Sequence, residues 1–442
     1  MRPSIPLLIV TTALPCAAAL SAMDKFGGGV FALIAIACMA ALLFFCVRPL
    51  PKNELYSDII PLRNGVSLYV TYGFAVLFHT AAFILLKVFL KMTFLPSLSF
   101  VLWAHGIGCL ILIFGGIRLL LQCRQLSLAQ RMLLVVLFWI PFINLFVINS
   151  VSKTAYSEYD REASRIELDN ARAESEICKT KYPILLVHGI FFRDSNFFNY
   201  WGRVPAELIK NGAMVYYGDQ HSAAGVEDCA KELCDRIDEL ISFTGCEKVN
   251  VIAHSKGGLD IRCAANMPEL RGKIASITTI NTPHQGCRYA DFLMQTLPHA
   301  FLDFIASKYN STLARFGEEG ADFIKGVTDL TAERCLEFNQ KTPYPEGVFC
   351  QSYGSYMKKW SSAGFPLNFA YLVAALFSSS SNDGLVDIDS MKWGDSFTCI
   401  KPKSSRGISH GDVIDLFRED FSGFDVREMY VDIVSGLKNK GF

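Results

Sequence analysis

Five long apolar runs open the chain, at Ile5 to Met23, Val30 to Val47, Val66 to Leu86, Ser97 to Ile117 and Met132 to Ile148, and none holds an acidic residue. A hydrocarbon core of about 30 Å takes roughly 20 apolar residues in a helix. The pattern therefore predicts an all-α transmembrane region of about five spans over residues 1–149. The first run, with Arg2 ahead of it and small residues (Ala17, Ala18, Ala19, Ser21, Ala22) towards its end, also has the form of a signal peptide. From Ser150 to Lys181 the chain is polar and dense in charge, as a solvated helical linker would be. From Tyr182 onward, short apolar runs alternate with amphipathic stretches. Strands are predicted at Ile184 to Val187, Met214 to Tyr217, Val249 to Ile252, Ile274 to Ile280 and Phe349 to Tyr353, with helices at Val204 to Lys210 and Val226 to Phe243. This alternation predicts an α/β unit over 182–442, a mostly parallel sheet flanked by helices. Between strand candidates, residues 288–346 crowd Phe292, Leu293, Leu297, Phe301, Leu302, Phe304 and Ile305, which predicts a helical lid over the sheet edge.

Composition and charge narrow the function classes. The 442 residues are 51% hydrophobic and 19% charged, too apolar for a disordered chain or a nucleic-acid binder. The 42 basic and 42 acidic side chains cancel, but unevenly: residues 1–149 carry 10 against 3, and residues 150–442 carry 32 against 39. With the N-terminus inside, the inner segments collect seven cations (Arg2, Arg48, Lys52, Arg63, Arg118, Arg124, Arg131) and the outer loops three (Lys25, Lys87, Lys91). By the positive-inside rule, five crossings would then place residues 182–442 on the extracytoplasmic side. His79 and His105 fall within predicted spans but lack the acidic companions of a proton pathway, so the spans read as a multi-pass anchor. Nine of the fourteen cysteines lie after residue 150, an odd number, and no spacing suggests a zinc site.

The candidate chemistry is concentrated in Lys248-Val249-Asn250-Val251-Ile252-Ala253-His254-Ser255-Lys256-Gly257-Gly258, a strand, a tight small-residue turn and a helix start. A serine placed on such a strained turn needs small neighbours two residues before and after, here Ala253 and Gly257. A hydroxyl becomes a nucleophile only when a base takes its proton. The histidines after Ser255 are His284, His299 and His410, and only His410 comes late enough to follow a strand-end acid. Asp383, in the turn Asn382-Asp383-Gly384, is the acid candidate, with Asp387 and Asp389 as rivals. Two backbone amides are placed to receive a developing oxyanion, that of Lys256 beside the nucleophile and that of Ile190 after His188-Gly189.

From Tyr182 to about Leu416 the chain resembles the bacterial triacylglycerol lipases of the α/β-hydrolase superfamily. The resemblance is carried by Tyr182-Pro183-Ile184-Leu185-Leu186-Val187-His188-Gly189, the Ser255 motif, Ile280-Asn281-Thr282-Pro283-His284-Gln285-Gly286, Leu330-Thr331 to Phe338-Asn339, Asn382-Asp383-Gly384-Leu385-Val386 and His410-Gly411-Asp412. It implies an α/β-hydrolase fold with Ser255 as nucleophile, Asp383 as acid and His410 as base, and Ile190 and Lys256 lining the oxyanion hole. It implies a lipid or long-chain ester as substrate, with the bilayer as the other partner. A phospholipase, a thioesterase, a transacylase or a catalytically inactive binding protein could share these residues. Such lipases often hold a structural calcium between two aspartates. Asp412 matches one, a weak ligand candidate, but Gln351 to Asn382 contains no acid to match the other. The expectation is therefore no cofactor, with Asp412 instead capping a helix from Val413.

Overall fold

The computed structural model describes residues 3–47, 56–190, 199–221, 223–298, 300, 302–304, 306–308, 310, 322–377 and 379–442. The chain divides into two compact units, Met1–Ala171 and Arg172–Phe442.

The first unit opens with α1 (Ile5–Ser21), α2 (Gly28–Val47), α3 (Ile60–Phe89) and α4 (Phe94–Gln122). Among the described residues, α2, α3 and α4 are long and apolar enough to cross a membrane, and α1 is a shorter apolar helix of 17 residues. α1 runs parallel to α3: Ser4 N–H donates to Thr71 Oγ1 at 2.9 Å, and His79 Nε2 meets the Thr11 carbonyl at 3.0 Å. His79 thus ties two helices together. Glycines let α3 and α4 approach closely. A Cβ on Gly65 would come within 2.6 Å of Leu119 Cδ2, and one on Gly115 within 2.6 Å of the Tyr69 ring.

The fifth apolar run is not a single span. It breaks into α5 (Leu128–Leu137) and α6 (Ile143–Arg172) around Pro141 and Phe142, whose φ is +66°. Asn144 Nδ2 closes the turn on the Phe138 carbonyl at 2.9 Å. Farther out, Gln130 Nε2 reaches Ser150 Oγ at 3.0 Å and Thr154 Oγ1 at 2.9 Å, and the Glu158 carboxylate accepts the N–H groups of Arg124 and Gln125, each at 3.1 Å. Partners thus meet pairwise on either side of the turn, and α6 runs back antiparallel to α5. Ten residues at 1.5 Å each give α5 a length of about 15 Å, half a hydrocarbon core. The polar stretch expected as a linker continues α6, with Val151, Ala155 and Glu158 buried.

The second unit holds six parallel strands, β1 (Ile184–Val187), β2 (Val215–Tyr217), β3 (Val249–His254), β4 (Ile274–Ile280), β5 (Phe349–Gly354) and β6 (Ser396–Cys399), in the order β2-β1-β3-β4-β5-β6. Its helices are α7 (Val204–Lys210), α8 (Val226–Thr244), α9 (Gly257–Ala265), α10 (Arg288–Thr296), α11 (Phe323–Thr328), α12 (Ala332–Lys341), α13 (Leu367–Phe377) and α14 (Val426–Asn439). Alternate β1 side chains serve opposite faces. Ile184 and Leu186 pack with Leu208 of α7 and Tyr430 and Val434 of α14, while Leu185 and Val187 pack with Leu233 and Ile237 of α8 and Ile261 of α9. β3 is central, with Ile252 opposite both Leu186 and Thr278. This parallel sheet covered on both faces is the α/β-hydrolase architecture, and it gathers the carboxyl ends of β1, β3, β4 and β5 at one edge.

Within the expected lid, α10, α11 and α12 are helical, and Ala290, Phe323, Val327 and Cys335 pack in one buried cluster with Ile190 and Leu259. His299, Phe301, Ile305 and residues 311–321 lie outside the described residues.

Candidate active site

β3 is buried along its whole length and leads directly into α9, so the residue between them must turn sharply. Ser255 occupies that turn at φ +55°, a left-handed conformation that costs a non-glycine residue energy. The backbone is held there by bonds from Ser255 N–H to the Ile280 carbonyl (3.0 Å) and from Gly258 N–H to the Ser255 carbonyl (3.1 Å). The turn leaves no room for side chains: a Cβ on Gly257 would run into the His188 carbonyl, and one on Gly258 into Thr282.

Ser255 Oγ lies 3.0 Å from His410 Nε2, and His410 Nδ1 lies 2.6 Å from Asp383 Oδ2. The three side chains come from turns after β3, α13 and β6, and all are buried. Asp383 Oδ1 accepts the N–H groups of Leu385 (2.9 Å) and Val386 (2.8 Å), and Asn281 Nδ2 donates to Oδ2 at 2.6 Å. The Asp383 carbonyl also takes the His410 N–H at 2.8 Å. The rival acids are engaged elsewhere: Asp389 with Lys392 (2.6 Å) and Ser380 (2.9 Å), and Asp387 near Arg288 (3.9 Å). His284 is also apart from this group, bonded to Arg262 at 2.9 Å and Thr279 at 3.0 Å and stacked on Trp393. Burial, reinforced by the Arg262 charge, pushes its pKa well down. In this array His410 Nδ1 faces a carboxylate while Nε2 faces the serine hydroxyl, the arrangement that lets an imidazole take up a hydroxyl proton.

The two oxyanion candidates sit where β1 and β3 end. The His188-Gly189 turn that precedes Ile190 approaches Ser255 so closely that a Cβ on Gly189 would lie 2.8 Å from Ser255 Cβ and 2.8 Å from Tyr200 Oη. Residues 191–198 lie outside the described residues.

Four supporting side chains escaped the sequence reading. Tyr200 Oη accepts the Gly189 N–H at 3.0 Å and meets His254 Nδ1 at 2.6 Å, and the His254 ring packs 4.5 Å from that of His410. His254 is fully buried, and that burial, then the neighbouring His410, drives its pKa well down and keeps it neutral. Lys256 folds under the elbow, its Nζ 2.7 Å from Asp260 Oδ1 and 3.3 Å from Cys229 Sγ. Burial pushes the Asp260 carboxyl up to about 7, against the pull of Lys256. Burial also opposes the Lys256 charge, but Asp260 and Cys229 outweigh it and raise its pKa. Asn281 is the fourth, and the Ile280-Asn281-Thr282-Pro283 motif was its visible signal. Asp412 does not cap a helix. Its carboxylate turns back to Ser409 N–H (2.7 Å) and Arg406 (2.9 and 3.1 Å), and only one 3-10 turn, Asp412–Ile414, follows.

Sheet, elbow and buried Ser-His-Asp array together define the α/β-hydrolase class. No family model matches the chain. Among characterised proteins it is similar to a triacylglycerol lipase of Vibrio cholerae, 31% identical over 241 residues that cover 49% of this chain and 76% of that protein. It is also similar to a triacylglycerol lipase of Burkholderia plantarii, 38% identical over 186 residues, 39% of this chain and 51% of that one. The Staphylococcus hyicus lipase structure aligns with 59% of this chain and 97% of its own, at a TM-score of 0.47 and 18% identity. The chain belongs to the triacylglycerol lipase family and, with it, to the carboxylic ester hydrolases.

Proposed function

We propose that the protein is a membrane-anchored serine hydrolase that cleaves long-chain acyl esters of acylglycerol type through an acyl-enzyme on Ser255. The observation that carries this reading is the hydrogen-bonded series Ser255, His410, Asp383, with Ser255 held in a left-handed turn. His410 Nε2 takes the Ser255 proton as Oγ attacks the ester carbonyl, and the amides of Ile190 and Lys256 receive the oxyanion. The same proton passes to the departing alcohol. Water, activated by His410, then releases the fatty acid and restores the serine. An acyl chain as the portion retained on Ser255 fits the surroundings: α13 carries no charged residue and exposes Phe369, Leu372, Leu376 and Phe377, and Leu367 at its start lies against Gly384 beside the catalytic acid. Each buried CH₂ contributes about 0.8 kcal/mol, so chain length should govern KM.

The test compares short- and long-chain acylglycerols, a phospholipid and an acyl thioester with detergent-solubilised protein, alongside labelling by a fluorophosphonate probe. Turnover that rises with chain length on acylglycerols, and labelling lost in Ser255→Ala, is the expected result. Preference for the phospholipid or thioester transfers the substrate assignment to that class. Absence of labelling in the wild type overturns the serine mechanism.

Membrane anchoring is supported by α2, α3 and α4, and the hairpin of α5 and α6 changes the expected side. Five crossings would leave residues 182–442 outside. α3 and α4 form a return pair that brings the chain back to the side of Arg48, Lys52 and Arg63, whether or not α1 crosses. Because α6 doubles back along α5, with Glu158 beside Arg124 and Gln125, the chain leaves on that same cation-rich face. By the positive-inside rule this is the cytoplasmic side, where all fourteen cysteines being free thiols is the ordinary condition. Protease added to sealed inside-out vesicles should digest residues 172–442, and protease added to intact cells should spare them. The opposite pattern restores the extracytoplasmic placement.

A further inference from the structure

The turn that presents His410 is held by a charge pair to which no part of the reaction assigns a role. Arg406 grips Asp412 with both prongs of its guanidinium, Nη1 to Oδ2 at 2.9 Å and Nη2 to Oδ1 at 3.1 Å. Asp412 Oδ2 also accepts the Ser409 N–H at 2.7 Å, and the Asp412 N–H returns to the Ser409 carbonyl at 3.1 Å. The four residues 409–412 are thereby closed into a ring with His410 on it. Arg406 is itself fixed from three directions. Its guanidinium carbon lies 4.0 Å from the centre of the Phe421 ring, Nη2 lies 3.5 Å from Glu419 Oε2, and its carbonyl accepts Lys358 N–H at 3.2 Å and the Ser362 hydroxyl. The Asp412 side chain is 5% exposed, so its charge needs a partner, and a planar guanidinium matches both carboxylate oxygens.

The family resemblance would set a calcium ion against this same aspartate. The residues present do not fit one. A hard divalent ion takes six to eight oxygen ligands, while both oxygens of Asp412 already accept N–H donors. No acid between Gln351 and Asn382 offers a second carboxylate, and the Asp412 charge is already met by a fixed guanidinium.

We propose that Arg406 is a positioning residue that substitutes an internal guanidinium for the divalent cation, so that the His410 turn is held without metal. The arrangement makes the turn independent of the surrounding calcium concentration, and it makes the reach of His410 to Ser255 depend on a single side chain four residues away.

The experiment uses the full chain in detergent as wild type, Arg406→Ala and Arg406→Lys, with Asp412→Ala as control. It measures bound calcium per chain, Tm with calcium or with chelator, and kcat and KM on a soluble acyl ester with and without added guanidinium ion. Expected for the wild type are no bound calcium and a Tm and kcat unmoved by chelator. Expected for Arg406→Ala is a fall in kcat of about ten- to hundredfold, the scale of a small misplacement of a catalytic group, with KM unchanged. Guanidinium ion should restore part of that loss in Arg406→Ala and none in Asp412→Ala, a rescue that a general loss of folding would not show. Arg406→Lys, which keeps the charge and loses the fork, should fall between, and stands in for the alanine variant should that one fail to fold. Stoichiometric calcium with a chelator-sensitive Tm overturns the proposal, as does full kcat in folded Arg406→Ala. The kinetic arm rests on the Ser255 reading, but calcium content and Tm do not, so failure of one is distinguishable from failure of the other.

Discussion

Asn281 donates its side-chain amide to Asp383 Oδ2 at 2.6 Å, the oxygen that also faces Nδ1 of His410. Asn281 stands immediately after β4 at φ +48°, and its Nδ2 also reaches Ser355 Oγ at 2.8 Å. One amide therefore links the ends of β4 and β5 to the proposed catalytic acid and fixes the carboxylate plane. Hydrogen bonds to charged groups contribute about 1.5–3 kcal/mol. Asn281→Ala should lower kcat by about ten- to hundredfold on a soluble acyl ester at nearly constant KM. An unchanged kcat would show that Leu385 and Val386 orient Asp383 unaided.

Tyr200 acts on the opposite wall. Its hydroxyl joins the Gly189 N–H to His254 Nδ1, and Gly189 precedes the proposed oxyanion donor Ile190. Tyr200→Phe keeps the ring packing against Trp201 and removes only the oxygen. Loss of one oxyanion-hole donor costs about 2.7–4 kcal/mol, and misaiming one costs less. The expected result is a roughly tenfold fall in kcat with KM held. A loss confined to KM would place Tyr200 in substrate binding instead.

What the sequence disclosed depended on how far a signal reaches along the chain. β1 was legible because it is an unbroken apolar run and β4 because it is uncharged and rich in isoleucine, both buried along their whole length, and Ser255 because strand, turn and helix are contiguous. β6 was not: Ser396–Cys399 is an edge strand whose residues are exposed or half-buried, so it has no apolar run to read. The fifth apolar segment was misread as a span because hydropathy registers length but not a reversal. Its one local sign was Pro141. Asp383 stood out from Asp387 and Asp389 through the resemblance rather than its position alone, and contacts made across the fold are what set it apart structurally, as they do Asn281, 102 residues before it.

Under the elbow, Lys256 and Asp260 are about 1–2% exposed and bonded at 2.7 Å. Removing one member of a buried ion pair costs about 3–5 kcal/mol, because the other is left without a partner, whereas replacing both by apolar residues is often neutral. Asp260→Ala should therefore lower the Tm of the hydrolase unit by roughly 10 °C, at about 2–4 °C per kcal/mol. The double variant Lys256→Met/Asp260→Leu should recover most of it, read by thermal unfolding in detergent. A double variant as labile as the single one would mean that the charges themselves shape the Ser255 turn.

Acid should destabilise the hydrolase unit through its buried histidines. His254 and His284 are held neutral, each pKa pushed well below the ordinary 6.5, chiefly by burial. As pH falls through 6.5 the unfolded chain takes up a proton at each that the folded chain refuses, so stability present above pH 6.5 is lost below it. One such group costs about 1 kcal/mol between pH 6.5 and 5.5. Asp260, raised to about 7 by burial, works in the opposite sense across this window, which makes the difference between variants the informative quantity. His284→Gln can still bond Arg262 and does not titrate. On going from pH 6.5 to 5.5 its Tm should fall by about 2–4 °C less than that of the wild type. Equal falls would show that His284 takes up its proton in the folded state, beside Arg262, despite its burial.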